Sequence, residues 1–210
     1  LRARPPNAED GDEQEDVSNV VDVQLERAVE EYRQAQRVNA ERAESHLNLG
    51  LIAVALGDAE GAEAAYRTAM RLEPSFTPGY VNLADLYRQQ GRDEEGEQVL
   101  RAGIQQVSAN ADLQHALGLL LVRQKRLDVA LPYLRQAATL APDQPRYAYV
   151  YAVALNSSGK EEQAIQILRG VHERHPGNRE ILSALVAFHR DAGNSAAARS
   201  YADKLQKRSP

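Results

Sequence analysis

Residues 43–74 read AESHLNLGLIAVALGDAEGAEAAYRTAMRLEP, and the same pattern returns four more times at a spacing of 34 residues without an insertion or a deletion. With Ala43 as the first place, the fifteenth place holds glycine in every unit except the third, where Lys125 stands. The thirty-second place holds proline in every unit except the second, which has Ser108. A fixed period of this length with such punctuation predicts a stacked array of helix–turn–helix units.

Large and small side chains recur where the two helices of a unit would touch. The seventh place holds Leu49, Leu83, Leu117, Tyr151 and Leu185, and the twentieth holds Ala62, Gly96, Ala130, Ala164 and Ala198. We expect the first helix of a unit to span about places 1–14 and the second about places 17–30, which gives 43–56 and 59–72 in the first unit. Tyr147, Tyr149 and Tyr151 alternate as in a strand, but the 34-residue register places them on a helix.

Three residues depart from the pattern of glycines and prolines that the other units share. Glycine at the fifteenth place ends a helix in the left-handed conformation without steric cost, so Lys125 must bear that cost or end its helix differently. Proline at the thirty-second place stops the second helix, which Ser108 does more weakly. Pro132 is the sixth residue of a predicted second helix. Proline costs about 3 kcal/mol inside a helix, and Pro132 therefore predicts a late helix start or a kink.

Composition excludes several classes of protein. The net charge of −5 argues against a general nucleic-acid-binding protein, which needs a basic surface for phosphates. The chain has no cysteine, which excludes disulfides, thiolate metal sites, thiol nucleophiles and haem attachment within these residues. No apolar run approaches the roughly 20 residues of a membrane-spanning helix. The chain begins at Leu1 without a methionine or a signal peptide, and we expect it to be a piece of a longer protein.

The chain before the first full unit has two parts. Residues 1–21 contain two prolines and an acidic run at 9–16, which predicts a flexible acidic linker; the alternative is a lure for a basic partner. Residues 22–40 show helical spacing in register with a second helix and predict one leading helix. The predicted domains are the linker at 1–21 and a repeat domain at 22–210, with the leading helix at 22–40 and repeats at 43–76, 77–110, 111–144, 145–178 and 179–210.

The recurring places resemble the tetratricopeptide repeat family. In the first unit the matching residues are Leu49, Gly50, Ala53, Ala62, Tyr66, Ala69 and Pro74. The aromatic residue that the family has at the fourth place appears only as Tyr80. The resemblance implies an all-α fold, a right-handed superhelical solenoid of five tandem helix–turn–helix repeats after one leading helix. It also implies a non-catalytic scaffold for protein–protein interaction without a cofactor, and an enzyme or metal protein is the minor alternative.

Histidines are the remaining candidates for chemistry. His172 and His175 are three residues apart near a predicted helix end, but no third ligand accompanies them, and a histidine there also suits the helix dipole. His46 and His189 stand at places that the repeats use for packing. The sequence therefore predicts neither catalytic nor metal-binding residues.

Four runs resemble a narrower group: HLNLG at 46–50, YVNLADLY at 80–87, HALGLLLVR at 115–123 and RYAYVYAVAL at 146–155. They are similar to the C-terminal tetratricopeptide region of large exported bacterial multihaem c-type cytochrome proteins. This resemblance implies haem-bearing segments upstream of Leu1 and a periplasmic location, which we favour over the cytoplasm. Such repeats are also common in cytoplasmic scaffolds.

The family resemblance implies a concave groove lined by the first helices, chiefly by places 2, 5, 6, 9, 12 and 13. The candidate peptide-binding residues are Asn48, Leu51, Asn82, Asp85, Arg88, His115, Arg123, Arg146, Tyr149 and Asn156. Asn48 and Asn82 match the asparagine with which family members hold a peptide backbone, whereas the fifth places lack the lysine that grips a terminal carboxylate in chaperone adaptors. The three arginines would make the groove positive, and we expect an acidic and apolar segment of a protein or peptide as ligand. Self-assembly into a homo-oligomer and a solvated spacer without a ligand are the alternatives.

Overall fold

The computed structural model describes residues 41–206 and three isolated upstream positions, Val23, Arg27 and Glu30, which are helical. The predicted acidic linker and most of the predicted leading helix lie outside the described residues. Residues 41–206 are all-α and contain no strand. Their ten helices are α1 (Ala43–Ala55), α2 (Ala59–Leu72), α3 (Thr77–Gln89), α4 (Asp93–Gln106), α5 (Ala111–Arg123), α6 (Leu127–Leu140), α7 (Pro145–Ser157), α8 (Glu161–Arg174), α9 (Arg179–Asp191) and α10 (Ser195–Gln206).

The helices follow the 34-residue period closely. The first helices of the units, α1, α3, α5, α7 and α9, end one residue before the predicted bound, and the second helices begin where the register places them. The tyrosine-rich segment after residue 144 is helical, as predicted. Polar caps fix four of the starts. Each side-chain oxygen accepts a hydrogen bond at 2.8–3.1 Å from the amide three residues later, and the caps are Asp58, Asn110, Asn178 and Asn194.

The fifteenth place has the left-handed conformation in every unit. Its φ is 72–73° at the four glycines and 61° at Lys125, so the lysine bears the steric cost of a glycine position. The turn after α5 keeps the hydrogen bonds of a glycine-capped helix end, because the Lys125 amide donates to Val122 and the Arg126 amide donates to Leu121, both at 2.9 Å.

Pro132 lies inside α6, which begins at Leu127 as the register predicts. The expectation of a late helix start is therefore wrong. Proline has no amide hydrogen to donate one turn back, so α6 forgoes one main-chain hydrogen bond. Burial of Ala130, Leu134 and Ala137, each 0% exposed, holds the helix in register despite that loss.

The chain divides into two compact units, Leu1–Glu73 and Pro74–Pro210. In the first unit α1 packs on α2. The two helices approach so closely that a Cβ added at Gly50 would stand 2.2 Å from Cε1 of Tyr66, a side chain that is 1% exposed. Glycine at the eighth place therefore makes room for the aromatic ring at the twenty-fourth place. The division of the chain into a linker and one repeat domain stays a prediction.

In the second unit α3 to α10 form four helix pairs, and each helix packs against the next one in sequence. The eighth and twenty-fourth places again fit each other by size: a Cβ at Gly118 would stand 2.4 Å from Cδ2 of Leu134. Ion pairs also join neighbouring repeats, since Glu97 of α4 lies 2.5 Å from the Arg126 guanidinium in the turn before α6. Among the described residues, no helix has both the length and the apolar character that crossing a bilayer requires.

Candidate peptide-binding groove

A cavity of about 400 Å³ opens in the second unit beside the first helices of three successive repeats, α3, α5 and α7. Its lining combines apolar side chains with three arginines, two aspartates and a histidine. The lining residues are Val81, Ala84, Asp85, Arg88, Leu100, Asp112, His115, Ala116, Leu119, Leu120, Arg123, Gln144, Arg146 and Tyr147. We call this cavity the groove.

Half of the candidate residues from the sequence lie in the groove: Asp85, Arg88, His115, Arg123 and Arg146. Asn82, Tyr149 and Asn156 belong to the same three helices but do not line it. Asn48 and Leu51 lie on α1 in the first unit, where both are exposed. The amide of Asn82 donates to the main-chain oxygen of Pro78 at 2.9 Å and is thus engaged by its own helix.

Two of the three groove arginines are paired with carboxylates of the fold. The Arg88 guanidinium donates to Asp85 one turn earlier at 2.6 Å, and this hydrogen bond lowers the pKa of Asp85. The Arg123 guanidinium donates to Asp93 at the start of α4, also at 2.6 Å. Each of these arginines therefore has a carboxylate beside it that opposes its charge.

Arg146, at the second residue of α7, is different. Its side chain lines the groove and makes no hydrogen bond or ion pair with any residue of the described chain. An exposed guanidinium keeps its full charge and five donors for a ligand. Arg146 is therefore the strongest source of positive potential at the groove.

His115 of α5 is 8% exposed, and neither ring nitrogen has a hydrogen-bond partner within the described part of the chain. Burial, reinforced by the charge of Arg146, lowers the pKa of His115 to about 4. The ring of Tyr147 lies beside the imidazole with 4.5 Å between the centroids. The Tyr147 hydroxyl donates to Asp112, and burial followed by this hydrogen bond raises the pKa of Tyr147 to about 12.

The sequence analysis missed three polar members of the groove, Asp112, Gln144 and Tyr147. Gln144 directly precedes α7 and stands at the thirty-fourth place of its unit, outside the expected concave set. Asp112 stands at the second place of its unit, which belongs to the expected concave set, so the register alone was sufficient to find it. Tyr147 stands at the third place, outside that set, and the sequence analysis chose Tyr149 instead.

Two histidines outside the groove pack against one tyrosine ring. His189 stacks on the ring of Tyr201 with 5.6 Å between centroids, and His172 meets the edge of the same ring at 5.7 Å. Among the residues that the structure describes, no group of three or more histidine or carboxylate side chains is placed to hold a metal ion.

The helix pairs and the groove on their first helices define an α-helical repeat protein of the helix–turn–helix type. The sequence model of the tetratricopeptide repeat family matches residues 9–176, and the chain belongs to this family. No curated protein matches the chain in sequence. The narrower resemblance to multihaem cytochrome proteins receives no support from these comparisons.

Several solved structures share the fold. A structure of YrrB, described as a tetratricopeptide protein with an unusual peptide-binding site, is 23% identical over 85% of this chain and 92% of that chain, with a TM-score of 0.64. PilF of Pseudomonas aeruginosa is 20% identical over 80% of this chain and 77% of that chain, with a TM-score of 0.67. MamA of Desulfovibrio magneticus RS-1 is 16% identical over 79% of this chain and 94% of that chain, with a TM-score of 0.66. At these identities the likeness concerns the fold alone.

Proposed function

We propose that this chain is a non-catalytic scaffold that binds a peptide or protein segment in the groove. The observation that carries the proposal is the cavity of about 400 Å³ shared by α3, α5 and α7. A cavity of this size is within the range of sites that enclose small ligands or a few side chains. Membership of the tetratricopeptide repeat family supports a role in protein–protein interaction, and a peptide-binding site is described for the structurally similar YrrB.

The lining of the groove favours a ligand that is both apolar and acidic. Leu119 stays 36% exposed in the groove, and Val81 and Leu120 also line it. Burying one leucine-sized ligand side chain against such a surface contributes about 1.5–3 kcal/mol. An exposed ion pair contributes only about 0–1 kcal/mol. Apolar contacts would therefore supply most of the affinity, and the arginines would select the charge of the ligand.

A set of three designed peptides tests the proposal. Each carries a fluorescein label and alternates leucine with one second residue: glutamate in the glutamate peptide, glutamine in the glutamine peptide and lysine in the lysine peptide. Fluorescence anisotropy measures their dissociation constants. We expect the glutamate peptide to bind most tightly and the lysine peptide least tightly, because like charges repel at the groove.

A pair of triple variants locates the binding site. The groove variant changes two lining residues, Arg88 and Arg123, and Asn82 of the same helix as Arg88 to alanine. We expect it to weaken binding of the glutamate peptide by about tenfold or more, since Asp85 and Asp93 lose their arginine partners and then repel an acidic ligand. Melting of the helical circular dichroism signal should change little, because none of the three side chains is buried.

The control variant changes Arg135, Gln136 and Arg169 to alanine, which removes the same number of arginines and one amide from exposed positions on α6 and α8. It should bind the glutamate peptide as the parent chain does. Loss of binding in the control variant with full binding in the groove variant would place the site on the second helices and refute the proposal.

A further inference from the structure

The buried imidazole of His115 is the feature of the groove that packing does not explain. Its side chain is 8% exposed, and both ring nitrogens lack a partner among the described residues. Buried polar groups in folded proteins are nearly always hydrogen-bonded, so an unpaired one at a cavity wall calls for a physical reason. A hydrophobic residue would pack at this position without the cost of desolvating two nitrogens.

The charged neighbours of His115 are unequal in what they can offer a ligand. The titratable and charged groups at the groove are Asp85 and Arg88 of α3, Asp112 and Arg123 of α5, and Arg146 and Tyr147 of α7. Within the described chain Arg88 and Arg123 are paired with aspartates, and Asp112 is engaged by the Tyr147 hydroxyl. Only Arg146 of these cations keeps its charge unpaired there.

We infer, on the basis of the proposed peptide groove, that His115 and Arg146 form a subsite for one carboxylate side chain of the ligand, and that His115 takes up a proton when this carboxylate binds. One unpaired guanidinium suits the single charge of an aspartate or glutamate. A phosphate carries nearly two charges, and the paired arginines supply no second free cation for it.

Entry of the carboxylate involves the neighbouring tyrosine. The ring nitrogens of His115 are shielded from solvent, and the Tyr147 ring lies beside them. A turn of the Tyr147 side chain would open the imidazole to the groove at the cost of its hydrogen bond to Asp112. The ligand carboxylate would compensate this loss by accepting from the imidazolium and from Arg146.

The subsite couples binding to protonation. In the free protein burial and the charge of Arg146 hold the pKa of His115 at about 4, so the ring is neutral at pH 7. A carboxylate nearby favours the imidazolium and neutralises Arg146, and both effects raise the pKa of His115 in the complex. Because the complex then binds more protons than the free protein, affinity increases as the pH falls from neutral towards 5.

The test measures the dissociation constant of the glutamate peptide at pH 7.5 and at pH 5.5. With a rise of about two units in the pKa of His115 on binding, the parent chain should bind about fourfold more tightly at the lower pH. Calorimetry in two buffers of different ionisation enthalpy should show net proton uptake near pH 5.5. The variant His115→Gln should lose both effects.

Two further variants guard the interpretation. His175→Gln removes a histidine of α8's C-terminal end, away from the groove, and should keep the pH dependence of the parent chain. Arg146→Gln changes an exposed side chain, so it tests the subsite even where the buried substitution impairs folding. It should weaken binding of the glutamate peptide and leave binding of the glutamine peptide unchanged.

The outcomes separate the two proposals. The subsite is overturned if the groove variant loses binding of the glutamate peptide while His115→Gln keeps the pH dependence of the parent chain or Arg146→Gln keeps its affinity. The scaffold function stands in that case. Absence of binding of every peptide to the parent chain overturns the scaffold function, and the subsite falls with it.

Discussion

Replacing Lys125 by glycine should stabilise the protein. Lys125 has a φ of 61°, in the left-handed region that the four equivalent glycines occupy at 72–73°. A residue with a Cβ is destabilised there by roughly 1–2 kcal/mol, and glycine removes this cost. Glycine also gives the unfolded chain more conformational freedom, which disfavours folding by about 0.4–1 kcal/mol. The net gain is therefore about 0.5–1 kcal/mol in the free energy of unfolding, or a rise of about 2 °C in the melting temperature for a chain of this size.

Two companion variants isolate backbone strain as the cause. Gly91→Lys introduces the same strain in the preceding unit, where a Cβ would have open space around it, and should destabilise by about 1 kcal/mol. Gln124→Gly acts one residue before Lys125, at a φ of −73° that any residue adopts. It relieves no strain and gives the unfolded chain more freedom, so it should destabilise the protein. Urea unfolding followed by circular dichroism gives all three values. If Lys125→Gly destabilises as much as Gln124→Gly, the strain argument fails.

Two further predictions concern packing and pH. Gly118→Ala should destabilise the protein by about 1–3 kcal/mol because its Cβ would overlap Leu134. Gly170→Ala, with open space around it in α8, should stabilise it by up to about 1 kcal/mol. Urea midpoints that shift in the same direction for both variants would contradict the packing argument. Lowering the pH from 7 to 5 should reduce the free energy of unfolding of the parent chain by about 2 kcal/mol more than that of His115→Gln. The reason is that the pKa of an unfolded histidine is about 6.5, while the pKa of buried His115 is about 4. This stability is present above pH 6.5 and is lost as the pH falls towards 4, and equal losses in both chains would contradict the burial of His115.

Much of the fold could be predicted because its determinants repeat. Glycine and proline at fixed places set the helix ends, and the departures at Lys125 and Pro132 were visible in the sequence. What the sequence could not decide was how each departure would be resolved. At Pro132 the buried side chains of α6 outweigh one lost hydrogen bond, so the helix keeps its start. At Lys125 the same turn forms at the cost of strain.

The groove was only half predictable, for a physical reason. Register assigns a face to each place, but it does not say how far a long side chain reaches or which neighbour it pairs with. Tyr147 reaches His115 and Asp112 of the preceding first helix from a place that was not expected to contribute. Likewise, the pairing of Arg123 with Asp93 reduces the positive charge that the sequence alone suggested for the groove.

The eighth and twenty-fourth places of a repeat are constrained as a pair, because their two side chains share one interface between the helices. The places that line the groove lack this constraint. Gly118 and Leu134 fit each other by size, and in the last repeat the order reverses: Val186 takes the eighth place and Ala202 the twenty-fourth, beside a cavity of about 230 Å³. The pair can exchange volume between its members because both side chains lie in one interface. His115, by contrast, packs against the ring of Tyr147, but no polar group of the described residues pairs with its nitrogens. Its place holds a different residue in each repeat, Leu47, Val81, His115, Tyr149 and Ser183, so the size rule of the paired places does not apply to it. Under the proposed function, such a place can set the preference for a ligand without disturbing the packing of the helix pair.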